Sequence, residues 1–308
     1  MRKSTFRFLS ADKRTQIHAV KWEPEQGEIQ AVLQISHGMI EYVERYEEFA
    51  GYLTDKGFMV VGNDHLGHGE SVLSQDLWGY FAPEHGSDLV VEDLHQLRKR
   101  IQAEYPGIPY FMLGHSMGSF MLRKYLSMHG EGLSGAIIMG TGTQADTTVR
   151  AGKLICRVIA LFRGWKHRGG FVEHQVFSGN SKKFAGEEEG AWLTKDKDIV
   201  RAYASEPRCT FQFTLNGFYN LFDTIYYINR PEHIDAIPKK LPMFFVSGED
   251  DPVGDYGAGV RKAFETYVQA GIADIGMKLY PADRHEILNE LDRAAVYEDI
   301  YGWLLGHL

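Results

Sequence analysis

The sequence predicts an α/β fold: a mostly parallel central sheet with helices on both faces and one inserted cap. Three observations carry this reading. Short, continuously apolar runs alternate with stretches of helical periodicity, the pattern of strands buried on both faces. One of those runs leads through a Gly-x-Ser-x-Gly turn straight into a helix-like segment. The alternation stops between residues 141 and 240 and then resumes.

In chain order, residues 5–9 and 16–22 read as an antiparallel hairpin on one edge of the sheet. Residues 31–35, 58–61, 110–113, 136–139, 243–246 and 277–280 are the apolar runs expected to be the remaining strands. Phe49, Tyr52 and Leu53 suit one covering helix, and Val90, Leu94, Leu97 and Ile101 another. Met117, Phe120, Met121, Tyr125 and Met128 recur at helical spacing after the third run of this series. The intervening segment is aromatic, mixed and unevenly charged. A structureless loop of that length is improbable inside a compact domain, so it is expected to carry its own helices. The domain reading is therefore a core of residues 1–140 and 241–308, with 141–240 as the cap.

Composition excludes several classes. The chain has 308 residues, 44% of them hydrophobic and 24% charged, which suits a globular protein with a sizeable core. A net charge of -8 argues against nucleic acid as a partner, because phosphate contacts call for a basic surface. No apolar run approaches the roughly 20 residues of a spanning helix, and residues 1–8 run into no apolar core of a secretory signal. Cys156 and Cys209 lie far apart without ligand spacing, so reduced thiols in a cytoplasmic protein are expected.

The turn Gly114-His115-Ser116-Met117-Gly118 reads as a nucleophile elbow. A serine on so tight a strand-to-helix turn has a strained backbone and needs small neighbours, which Gly114, Gly118 and Ser119 provide. The turn lifts the Ser116 hydroxyl above the sheet edge. It also aims the first amides of the next helix at the point where negative charge develops in acyl transfer. A nucleophilic serine needs a base, and the base an acid partner.

Four segments together resemble the α/β-hydrolase family, and within it the monoglyceride lipase and lysophospholipase-like branch. They are the elbow, Ser36-His37-Gly38-Met39-Ile40-Glu41 with Arg45-Tyr46, Phe245 through Val253, and Pro281-Ala282-Asp283-Arg284-His285-Glu286. The resemblance implies an oxyanion hole built from the backbone amides of Met39 and Met117. It also implies His285 as the catalytic histidine, at the end of a strand and late in the chain. The family's Gly-x-x-Asp-x-Val spacing falls on Asp251, and Asp250 is the rival. A further stretch, residues 63–71, resembles the family's glycine-rich loop; Asp64, His65 and His68 in it read as a hydrogen-bonded turn, with no metal site expected.

The implied reaction is attack of Ser116 on an ester carbonyl, with no cofactor, through an acyl-enzyme that water then hydrolyses. The expected substrate is a monoacylglycerol- or lysophospholipid-like acyl ester. The aromatic stretch of the cap, with Phe213, Phe218 and Phe222 at its centre, is expected either to line an acyl pocket or to pack the cap on its parent domain. Residues 154–162 are apolar but for Arg157 and are flanked by Lys153, Arg163, Lys166, His167 and Arg168, a composition suited to a helix at a lipid interface. Two other readings stand beside this one. A serine aminopeptidase of the same fold would need acids such as Glu187, Glu188 and Glu189 around a substrate ammonium, and a hydrolase scaffold that kept binding but lost turnover is the second.

Overall fold

A computed structural model describes all 308 residues. The sheet has eight strands: β1 (Arg2–Leu9), β2 (Gln16–Glu23), β3 (Ala31–Ser36), β4 (Phe58–Asn63), β5 (Tyr110–His115), β6 (Gly135–Met139), β7 (Met243–Gly248) and β8 (Ile275–Tyr280). Their order is β1-β2-β4-β3-β5-β6-β7-β8. β1 and β2 form the expected antiparallel hairpin at one edge, and β2 also runs antiparallel to β4. Every other pairing is parallel. Each apolar run of the sequence is a strand, because β3 through β7 are buried along their whole length and apolar side chains suit both faces.

Ten helices follow the same logic: α1 (Glu47–Thr54), α2 (Gly86–Glu104), α3 (Met117–His129), α4 (Asp146–Arg163), α5 (Gly170–Phe177), α6 (Lys197–Ser205), α7 (Leu215–Ile228), α8 (Pro231–Asp235), α9 (Ala258–Gln269) and α10 (Arg293–Leu305). Alternate side chains of each strand enter different cores. Tyr110 and Met112 join one cluster with Leu94, Tyr125 and Phe245, while Phe111 and Leu113 join the other with Phe49, Val246 and Tyr297. Residues 141–240 contribute five helices and no strand of the sheet. Helix α7 from this segment packs against α4, α3 and α2. Cys156 and Cys209 are buried free thiols, and no helix is long and apolar enough to cross a membrane.

The topology concentrates loops at one edge. Strand order reverses between β3 and β5, so the crossovers leaving these two strands diverge and open a crevice at their carboxyl ends. Ser36 pairs with Gly114 across that switch point, which sets residues 37–39 beside residues 115–117. Further along the same edge, Gly248 of β7 pairs with Tyr280 of β8, so the loops after both strands also meet.

Candidate active site

Ser116 sits between β5 and α3 with φ 53° and ψ −121°, a left-handed backbone that costs a non-glycine residue energy. The turn is held by Ser116 N–H donating to Met139 O at 3.0 Å, and by Ser119 N–H donating to Ser116 O at 2.8 Å. Its two glycines are required by space. A Cβ on Gly118 would lie 2.0 Å from Ser36 O and 2.4 Å from His37 O, and one on Gly114 would lie 2.4 Å from Gly118 O. Close contact of α3 with the loop after β3 is what brings that loop to the serine.

His285 and Asp251 meet as the topology dictates. His285 Nδ1 lies 2.9 Å from Asp251 Oδ1. Because a carboxylate only accepts, Nδ1 carries the proton and Nε2 keeps its lone pair. Asp251 is fully buried and its oxygens also accept from Val253 N–H at 2.8 Å and Ser247 O–H at 3.2 Å. Asp250, one residue earlier, points away and pairs with Lys183. Ser116 and His285 line one cavity of about 1360 Å³. They make no hydrogen bond to each other, a contact that is often long until substrate closes it.

Met39 and Met117 border the same cavity. Met117 is the first residue of α3, so its amide has no intrahelical acceptor. The Met39 amide makes no hydrogen bond within the protein. Two amides without an acceptor in the protein thus belong to residues bordering the cavity that Ser116 lines. Of the three cap phenylalanines, only Phe222 reaches the cavity. Phe213 and Phe218 are fully buried in the core, where Phe213 packs on His68, Phe81 and Phe218. This corrects their reading as substrate contacts: they lie on the inward side of the α7 region and fix it to the core. The apolar wall is made instead by Val149, Ile155, Phe211, Leu221, Phe222 and Ile225.

A family profile described as "Serine aminopeptidase, S33" matches residues 27–292. The chain is 36% identical over 298 residues to the human monoglyceride lipase, spanning 92% of this chain and 84% of that protein. It is 24% identical over 294 residues to the monoacylglycerol lipase of Mycolicibacterium smegmatis, spanning 93% and 92%. Among solved structures, a thermostable carboxyl esterase from Bacillus coagulans in complex with glycerol superposes with a TM-score of 0.91 at 30% identity, over 100% of this chain and 99% of that one. The chain belongs to the α/β-hydrolase family, in its monoglyceride lipase-like branch. It is a carboxylic ester hydrolase.

Behind the reactive edge of this hydrolase lies a buried charge network that sequence reasoning missed. Arg45 donates to both oxygens of Glu286, at 2.8 and 2.7 Å, and to Glu41 at 2.8 Å. Glu41 also accepts from Tyr46 O–H at 3.0 Å and from the Gly38 amide, and it faces His115 Nδ1 at 3.3 Å. His115 Nε2 in turn faces His285 O at 3.2 Å. Burial opposes charge on His115, yet the Glu41 hydrogen bond and the charges of Glu41 and Glu286 outweigh it and raise its pKa. Burial likewise opposes ionisation of Glu41, and His115 and Arg45 overcome it, holding the carboxyl well below its usual range. The available signal was adjacency, since His115 precedes Ser116 and Glu286 follows His285.

The histidine loop is also tied to the inserted segment. Trp192 O accepts from His285 N–H at 3.3 Å, Leu193 O from Glu286 N–H at 2.7 Å, and Glu187 takes both terminal nitrogens of Arg284 at 2.9 and 3.0 Å. Cys209 borders the cavity too, but burial pushes its thiol up to about 12, which keeps it protonated and a poor nucleophile.

Proposed function

We propose that the chain hydrolyses monoacylglycerol- or lysophospholipid-like acyl esters through an acyl-enzyme on Ser116. His285 Nε2 takes the hydroxyl proton as Oγ attacks the carbonyl carbon, and the Met39 and Met117 amides receive the oxyanion. The tetrahedral intermediate collapses, His285 returns the proton to the leaving alcohol, and the acyl group stays on Ser116. Water then repeats the sequence and releases the acid. Asp251 holds the ring and stabilises the imidazolium that forms twice per turnover.

The observation that carries this reading is a histidine bonded to a buried aspartate through one nitrogen, with its other nitrogen unbonded, in the cavity that a strained serine also lines. The cavity volume exceeds the usual range for small ligands, and its wall from Val149 to Ile225 is apolar, which suits an acyl chain. The two relatives named above are monoacylglycerol lipases by name. In this reading residues 1–140 and 241–308 form the catalytic core and 141–240 the cap. Helix α4 leaves Leu154, Val158, Leu161 and Phe162 exposed, and α5 leaves Phe171 exposed, beside Arg157, Arg163 and Lys166. We take that face to rest on a lipid surface from which substrate is drawn, with the cytoplasm as the setting.

Replacing Ser116 by Ala should lower hydrolysis of a monoacylglycerol by at least about 10⁴-fold and abolish fluorophosphonate labelling at an unchanged Tm. Wild-type turnover in that variant would refute the assignment. The aminopeptidase named in the family description is the second reading. Against it, Glu187 is held by Arg284 and Glu188 by Arg201, leaving Glu189 as the one of the three acids that borders the cavity without such a partner. Turnover of an aminoacyl anilide in preference to a monoacylglycerol would favour it.

A further inference from the structure

The loops after β3 and β4 carry three buried histidines that the reaction does not use: His37 after β3, and His65 and His68 after β4, all fully buried. The rings of His37 and His65 have centroids 4.1 Å apart, and those of His37 and His68 5.3 Å. Their hydrogen bonds fix more than packing.

His37 Nε2 lies 2.9 Å from the His65 backbone N–H. A backbone amide can only donate, so Nε2 must offer a lone pair and the ring proton must sit on Nδ1. Nδ1 is 2.8 Å from Gly38 O, so it donates there. That carbonyl belongs to the peptide unit whose other end is the Met39 N–H. A trans peptide is planar with C=O and N–H pointing in opposite directions. Holding the oxygen therefore sets the direction of the Met39 amide.

The preceding peptide is held in the same way. His65 Nε2 lies 3.0 Å from His37 O, and Gly38 N–H donates to Glu41 Oε1. Two successive peptide units thus present four polar groups, of which His65, Glu41 and His37 anchor three. The fourth, the Met39 N–H, is the one without a partner in the protein.

We infer that His37 is the positioning residue of the oxyanion hole, acting through a neutral Nδ1–H tautomer that grips the Gly38 carbonyl and aims the Met39 amide at the substrate oxygen. The inference rests on the Ser116 reading above and adds the element that orients its oxyanion donor. Burial, with His65 and His68 as neighbours, holds the His37 pKa well below 6.5, so the tautomer persists where His285 works.

The test separates the two ring nitrogens. In His37→Asn the amide nitrogen falls near Nδ1 and keeps the donor to Gly38 O. In His37→Gln the amide oxygen falls near Nε2 and keeps only the acceptor for His65. Assayed on a soluble p-nitrophenyl acyl ester, His37→Gln should lose on the order of 10²-fold in kcat with KM nearly unchanged. His37→Asn should retain most of the kcat. A purely structural histidine would lower Tm and kcat alike in both variants, and equal losses, or wild-type kcat in His37→Gln, would overturn the inference.

Should neither variant fold, the wild-type protein decides through a nitrogen-15 histidine spectrum, in which a proton on His37 Nε2 overturns the tautomer and with it the proposal. A wild-type protein that fluorophosphonate fails to label at Ser116 would instead defeat the parent reading, which keeps the two failures distinct.

Discussion

Asp250 and Asp251 leave the same turn after β7, and a difference of one residue decides which of them serves His285. Asp251 is buried and bonded to the ring, whereas Asp250 is partly exposed and paired with Lys183. Asp251→Asn should reverse the His285 tautomer, because an amide donates where the carboxylate accepted, and kcat should fall by on the order of 10⁴-fold. Asp250→Asn removes only a surface ion pair, worth about 0–1 kcal/mol, and should leave kcat within about twofold. A loss in Asp250→Asn as large as in Asp251→Asn would dismiss the geometric choice. At this scale the sequence singled out Ser116, His285, Asp251, Met39 and Met117 through backbone motifs and strand ends, and the structure sets all five after the carboxyl ends of strands, on loops or turns or, for Met117, at the start of α3. Residues defined by side-chain partners far away in the chain were not legible. Arg45 reaches Glu286, His115 faces Glu41, and His37 meets His65, and no local pattern encodes such pairs. Phe213 and Phe218 illustrate the converse, since aromatic density alone does not reveal which side chains face a cavity and which face a core.

Among the elements, α4 makes the sharpest claim. Leu161 and Phe162 are 82% and 83% exposed at its end, a cost in water that a lipid surface would remove. Full burial of such a side chain is worth about 1.5–3 kcal/mol. Leu161→Ser with Phe162→Ser should therefore weaken sedimentation with anionic vesicles by about tenfold or more while leaving hydrolysis of a soluble short ester unchanged. Equal vesicle binding by the double variant and the parent protein would dismiss the lipid-facing role. Strands were the most legible elements: β3 through β7 are buried on both faces and read as unbroken apolar runs. Of the helices of residues 141–240, only the part of α4 at residues 154–162 was legible by itself, and the rest only as a class. Helix α7 packs on α2, α3 and α4 while Leu221, Phe222 and Ile225 face the cavity. Asn216, Asn220 and Thr224 are buried at four-residue spacing along α7, polar residues on a stripe that periodicity expects to be apolar.

For the molecule as a whole, gathering loops at one sheet edge leaves ionisable groups in the interior, and these tie stability to pH. Burial lowers His65 to about 4 and His68 to about 3. Burial also raises Asp64 to about 6, Asp93 to about 7 and Asp283 to about 6. The two sets act in opposite directions. Below pH 6.5 the unfolded chain takes up protons on histidines that the folded protein keeps neutral, so their contribution to stability falls with pH. The raised carboxyls hold protons in the folded state that the unfolded chain has already lost, so their contribution increases as pH falls through their folded values. Wild-type stability between pH 7 and 5 is therefore a difference between opposing titrations, and its small or large slope does not by itself reveal any one of them. His68 is the place to expose one, because its Nε2 is buried without a partner among Phe81, Phe211 and Phe213. In His68→Leu the repacking term is the same at every pH, but the lost proton uptake is not. Relative to wild type, the variant should gain about 1.4 kcal/mol for each pH unit below 6.5, or roughly 2 kcal/mol by pH 5, in urea unfolding. An offset between the two proteins that stays constant from pH 8 to pH 5 would mean that His68 carries its proton in the folded state, and the neutral histidine cluster beneath the oxyanion loop would have to be abandoned.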